Sequence, residues 1–247
     1  MRDKILIIKT GTTIPSLLDE GGDFEDWFIH GSGQSPDRFI CSAVDRDEAL
    51  PDINDVAATI VTGSSAFLTD LAPWNELVAD YLRQLHSQNK PILGVCYGHQ
   101  VLAWAFGGEV GFHPGGREIG TVDISLTQQS AGDLLFASAP DAFKAQASHL
   151  QSVTKLPEDA VLLAKNSFEA HHGFRLGRTT WGVQFHPEFS AHVMRSYIRE
   201  RKSDIAEEGL DVQDLLMDVE DTPDSAALLA RFIEIVDTEA QPPAESA

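Results

Sequence analysis

Cys96 and His186 are the residues in this 247-residue chain whose surroundings best suit covalent chemistry. Cys96 stands in GVCYGHQ, with Gly94 two residues before it and Gly98 two after. The run ILGV reads as a buried strand, and Gln100–Phe106 as a helix closed by Gly107 and Gly108. A strand, a sharp turn and a helix around one thiol make a nucleophile elbow, in which small flanking residues allow close strand–helix approach. The turn also places sulfur at a helix N-terminus, where unpaired N–H groups and the macrodipole favour a thiolate. Cys41, in RFICSAV, lacks this context and reads as a small buried hydrophobe.

A thiol nucleophile needs a base and a group to orient it. In WGVQFHPEFS, His186 and Glu188 are one residue apart at the end of an apolar strand. Period-two geometry sends both to the same side, and Pro187 keeps the backbone between them extended. A carboxylate on one ring nitrogen leaves the other free to face sulfur. The order Cys96, His186, Glu188 differs from the nucleophile–acid–histidine order of α/β-hydrolases.

These residues must be carried by a sheet. Apolar runs at Lys4–Thr10, Arg38–Val44, Val56–Thr62 and Pro91–Val95 are separated by segments long enough for helices. Continuous rather than alternating apolar character predicts a mostly parallel sheet with helices on both faces. Between the third and fourth runs, Pro73 opens a helix over Trp74, Leu77, Val78, Tyr81, Leu82 and Leu85 that ends near Asn89. From Arg117 to Gln184 shorter strands, EIGTVDISL, AFKAQAS, AVLLAKN and TTWGVQF, predict a small antiparallel extension with one or two strands returning to the main sheet. A short helix is expected near Gly132–Phe136, and helices over Val193–Ile205, Leu210–Met217 and Ala226–Val236. The expected organisation is a domain over 1–190, a helical appendage over 191–236 and a disordered tail over 237–247.

With 18 Lys and Arg against 38 Asp and Glu, the net charge of −20 disfavours nucleic acid and anionic membranes as partners. No apolar stretch approaches the roughly 20 residues of a membrane span, and the N-terminus is too short in apolar residues for a signal peptide. A cytoplasmic location is expected. Two distant cysteines make a disulfide framework or structural zinc site unexpected. His171–His172 could suggest a metal, but adjacent side chains diverge and no carboxylate or cysteine cluster accompanies them, so no metal and no cofactor are expected.

The chain resembles the class I, triad-type glutamine amidotransferases, in particular stand-alone proteins similar to the amidotransferase domain of GMP synthetases. Gly94, Cys96, Gly98 and Gln100 match G-x-C-x-G-x-Q, and His186, Pro187 and Glu188 match H-P-E. The resemblance runs from about Ile5 to Phe189 and includes TGS near residue 63 and SHLQSVTKLPEDAVLLAKN. It implies the flavodoxin-like fold of that family and a Cys96–His186–Glu188 triad that forms a γ-glutamyl thioester on Cys96 and releases ammonia from glutamine. It also implies oxyanion N–H groups from Tyr97 and the Gly63–Ser64 loop, and Gln100 beside the substrate. Where many relatives read S-H-G-D, this chain has Ser148, His149, Leu150 and Gln151. It has no S-G-G-x-D-S or G-x-x-x-x-G-K-[ST] segment, so an ammonia acceptor would belong to a separate synthetase subunit. The alternatives are a γ-glutamyl peptide hydrolase using the same three residues, or a non-catalytic partner subunit.

Overall fold

The computed structural model describes residues 4–240. The chain begins with β1 (Lys4–Lys9), two short helices α1 (Pro15–Asp19) and α2 (Phe24–Ser32), and β2 (Phe39–Ala43). It continues through β3 (Val56–Val61), α3 (Trp74–Ser87), β4 (Ile92–Val95) and α4 (Tyr97–Ala105). Seven strands follow: β5 (Glu109–Phe112), β6 (Glu118–Leu126), β7 (Ala142–His149), β8 (Gln151–Lys155), β9 (Val161–Lys165), β10 (Gly173–Leu176) and β11 (Thr180–Val183). The C-terminal part is helical: α5 (Ala191–Glu200), α6 (Lys202–Glu207), α7 (Val212–Asp218) and α8 (Pro223–Glu239).

Nine strands form one sheet in the order β2-β1-β3-β4-β11-β10-β9-β6-β7. The half from β2 to β11 is parallel, with β11 returning beside β4 so that Val183 lies opposite Val95. The half from β10 to β7 pairs antiparallel, as the turn-punctuated sequence anticipates. A separate ribbon of β5 and β8 flanks it. Ile5 to Ile8 of β1 are all buried, since helices cover both faces and leave no polar side for alternation to follow.

The segment near Gly132–Phe136 is not the short helix expected. Gly132 takes a positive φ of 80°, and the Asp133 carboxylate captures the N–H groups of Leu135 and Phe136. A side-chain acceptor that satisfies these donors locally favours a turn over a helix. Asp133 also receives the indole N–H of Trp181 and the guanidinium of Arg175, so the turn is tied to the sheet.

Among the residues anticipated as a C-terminal appendage, Tyr197, Leu228, Phe232 and Ile233 share one buried core with Trp181 and Val183 of β11. Phe232 is fully buried and meets Trp181 edge-on. Residues 237–239, expected in the tail, instead complete the last turn of α8. Residues 241–247 of that tail lie outside the described residues.

Candidate active site

The site lies at the carboxyl ends of β3, β4 and β11, where adjoining strands of an open α/β sheet form a crevice. Cys96 follows β4 directly and has φ 52° and ψ −101°, a strained conformation for a residue with a side chain. Its N–H is held by the carbonyl of Val183 at 2.9 Å, and its own carbonyl accepts from Gln100 to begin α4. The flanking glycines are required by contact. A Cβ on Gly94 would run into the Gly98 carbonyl, and one on Gly98 into the Val61 carbonyl of β3. The elbow is therefore clamped between two strands, with no room for a methyl group at either glycine.

His186 comes to the same place from the loop after β11. Its N–H donates to the Gln146 carbonyl of β7 at 2.8 Å, and its ring stacks on Phe189 with centroids 4.0 Å apart. Nδ1 donates to Glu188 Oε1 at 2.7 Å, which leaves Nε2 for the sulfur side. Burial acts against charge on His186, but the Glu188 charge, followed by the charge and hydrogen bond of Cys96, outweighs it and pushes the pKa up to about 10. Cys41 is exposed on β2 rather than buried as expected, because its position faces outward near the edge of the sheet. Its thiol is pushed up to about 11, first by partial desolvation and then by the charge of Glu25.

The other anticipated residues gather around Cys96. Gly63 is so close that a Cβ there would stand 3.0 Å from His186 Cε1 and 3.7 Å from Cys96 Cβ. Ser64 follows it, with Oγ donating to the Thr10 carbonyl, while Tyr97 is the first residue of α4, whose N–H has no partner within the helix. Gln100 is buried in the wall of the cavity, and its amide nitrogen donates to the Gln151 carbonyl at 2.8 Å and to Gln184 Oε1 at 3.1 Å. In this arrangement Gln100 braces the segment Ser148–Gln151 as well as lining the cavity.

Three contributors were not anticipated. Gln151, where relatives of the resembled family have Asp, reaches across to the loop over residues 68–70. It accepts from Leu68 N at 3.0 Å and donates to Thr69 Oγ1 at 2.6 Å. Arg117 is fixed by a bidentate pair with Glu208 of the turn after α6, and Arg201 lies over the Tyr197 ring at 5.6 Å. Both arginines line the cavity at Cys96, and no motif spacing links residues so far apart in the chain. A second opening on the His186 side of Cys96 is walled by Thr13, Ile14, Pro15 and Tyr197.

The arrangement can deliver a sulfur nucleophile from a strained turn and hold the proton on a carboxylate-oriented imidazole. Comparison with known proteins agrees with this chemistry. The family model for class-I glutamine amidotransferases matches residues 70–203, over half of the chain. A γ-glutamyl-L-1-hydroxyisopropylamide hydrolase from a Pseudomonas species is 29% identical over 164 residues, 61% of this chain and 53% of that protein. A glutamine-hydrolysing GMP synthase from Thermosipho africanus is 34% identical over 142 residues, 57% of this chain and 26% of the synthase. The chain thus spans about half of the first relative's length and about a quarter of the second's. A solved structure described as a glutamine amidotransferase from Thermotoga maritima superposes with a TM-score of 0.75 at 19% identity, covering 96% of this chain and 99% of that one. With motif, elbow and fold in agreement, the chain belongs to the class-I glutamine amidotransferase family.

Proposed function

We propose that the chain cleaves γ-glutamyl amides, with glutamine as the leading substrate, through a thioester on Cys96. The observation that carries this reading is the strained Cys96 turn set beside a His186 imidazole that is held by Glu188. With the thiol proton held on His186, sulfur adds to the δ-carbonyl carbon. The oxyanion is received by the N–H groups of Tyr97 and of the Gly63–Ser64 loop. His186 then gives its proton to the departing amine and the C–N bond breaks, releasing ammonia from glutamine. Water, deprotonated by the same ring, splits the thioester to glutamate and free thiol.

The cavity lined by Gln100, Arg201, Ser148 and Gln151 suits the glutamyl half, since Arg201 supplies positive charge for an α-carboxylate. The second opening, bounded by Thr13, Ile14, Pro15 and Tyr197, supports a further reading, in which the leaving amine is larger than ammonia. The Pseudomonas relative, named for hydrolysis of a γ-glutamyl amide, favours the same direction. If ammonia is the product, a separate synthetase subunit is its recipient, as expected for the GMP synthase resemblance.

The test is glutamate release by purified protein from glutamine and from γ-glutamyl dipeptides, with and without candidate synthetase partners. Turnover of glutamine supports the leading reading, and turnover of dipeptides alone supports the second. Failure on both, or activity that survives Cys96→Ala, refutes the proposal.

A further inference from the structure

Behind the cavity wall, three strands deliver a group of buried side chains to one point. Glu118 opens β6, His149 ends β7 directly opposite it, and His172 precedes β10. Glu118 Oε2 lies 2.9 Å from His149 Nε2 and 3.0 Å from His172 Nε2. The side chains of the two histidines are 2% and 0% exposed, and that of Glu118 8%. Each residue thus turns one possible ligand atom inward, and the three atoms lie within 4.8 Å of one another. His171, adjacent in sequence, diverges as expected and bonds the Val153 carbonyl. The carboxylate and second histidine are supplied by strands distant in the chain, so no local spacing marks the set.

The hydrogen-bond inventory of this cluster does not close with both rings neutral. His149 Nδ1 faces the Gln151 carbonyl at 3.1 Å. A carbonyl only accepts, so Nδ1 carries the proton, and in the neutral tautomer Nε2 presents a lone pair. That lone pair would then confront a carboxylate oxygen at 2.9 Å. His172 is fully buried, its Nδ1 has no hydrogen-bond partner, and its Nε2 meets only Glu118 Oε2 at 3.0 Å. Converging lone pairs of two imidazoles and a carboxylate are the donor set of zinc-class divalent ions. The outer groups match as well. The Gln151 carbonyl orients His149, and Asn166 Nδ2 holds the other Glu118 oxygen at 2.7 Å, the kind of second layer that sets tautomer and ligand direction.

We propose that Glu118, His149 and His172 form a binding site for a divalent transition-metal ion of the zinc class, separate from the Cys96 chemistry. His149 also lines the cavity at Cys96, so the cluster adjoins that cavity. The bound ion ties β6, β7 and the segment before β10 together and anchors Ser148–Gln151, the wall that accepts from Cys96 Sγ and Gln100.

The experiment uses the full chain stripped with a chelator, then titrated with Zn2+ alone and with Co2+ alone, in parallel with Cys96→Ala, His172→Gln and Asn166→Ala. Wild type and Cys96→Ala are expected to take up one ion per chain. Their Co2+ forms should show visible d–d absorption without a sulfur charge-transfer band. His172→Gln should weaken Zn2+ at least about 100-fold, and Asn166→Ala about 10-fold. Circular dichroism and Tm of His172→Gln establish that it is folded, and the wild-type stoichiometry decides independently of that variant. The proposal is overturned if metal-exposed wild type retains no ion, if Cys96→Ala abolishes uptake, or if folded His172→Gln binds Zn2+ as wild type does. It is equally overturned if nitrogen NMR shows both rings carrying two N–H protons with Zn2+ present, since protons would then be the cations that complete the cluster.

Discussion

Glu188→Gln isolates the charge behind His186 from its hydrogen bond. The amide oxygen can still accept from Nδ1, so the tautomer is kept, but the negative charge is gone. Glu188 Oε2 has no partner, so the new NH2 group is left buried and unsatisfied, at a stability cost of about 1–3 kcal/mol. The rise of His186 from its ordinary 6.5 to about 10 reflects a preference for the imidazolium that its charged neighbours set against burial. The Glu188 charge is the largest of the raising causes. Removing it lowers the His186 pKa, and exchanging a charge-assisted hydrogen bond for a neutral one forfeits about 1–2 kcal/mol, or roughly 10-fold in rate. The sign follows from linkage. A pKa raised by folding stabilises the native state below about 6.5, and that contribution is lost as pH rises toward about 10. Glutaminase or dipeptidase rates measured from pH 5 to 10.5 should therefore show an alkaline limb near 10 in wild type, displaced to lower pH in Glu188→Gln. Thermal unfolding across the same range should lose stability earlier in the variant. An unmoved alkaline limb together with an unchanged rate would refute the charge argument, while loss equal to His186→Ala would show that orientation, not charge, is what Glu188 provides.

Gly98→Ala should place a methyl group against the Val61 carbonyl and cost at least about 1–3 kcal/mol, seen as a lowered Tm and as activity lost beyond the fraction unfolded. A glutamine-analogue electrophile should label Cys96 and not Cys41, whose thiol is pushed up to about 11, and peptide mass spectrometry after brief exposure at neutral pH reads this directly. Phe232→Ala should destabilise by about 3–5 kcal/mol in denaturant titration, because its ring is fully buried against Trp181. A single cooperative transition in that variant shows α8 to be part of the main core, whereas a loss under 1 kcal/mol in order of magnitude would show it to be a loosely attached appendage.

Some features needed only neighbouring residues. The glycines around Cys96 and the His186–Pro187–Glu188 spacing act over a few positions, so the linear order reveals them. The four parallel strands were equally legible, because a strand buried on both faces must be apolar throughout. The turn at Gly132–Phe136 escaped notice because a single carboxylate, Asp133, is a tertiary anchor as well as a local acceptor. The boundary at residue 190 did not separate a core because Leu228 and Phe232 supply apolar surface that the sheet needs. Arg117, Arg201 and Gln151 reach the cavity from elements far apart in sequence. The meeting of Glu118, His149 and His172 depends on strand register across β6, β7 and β10. The sequence by itself determined which groups can do chemistry, since short-range spacing sets a turn and a side-chain direction. Only tertiary structure decided which of them share a cavity, because long-range pairing is chosen by the packing of the whole sheet.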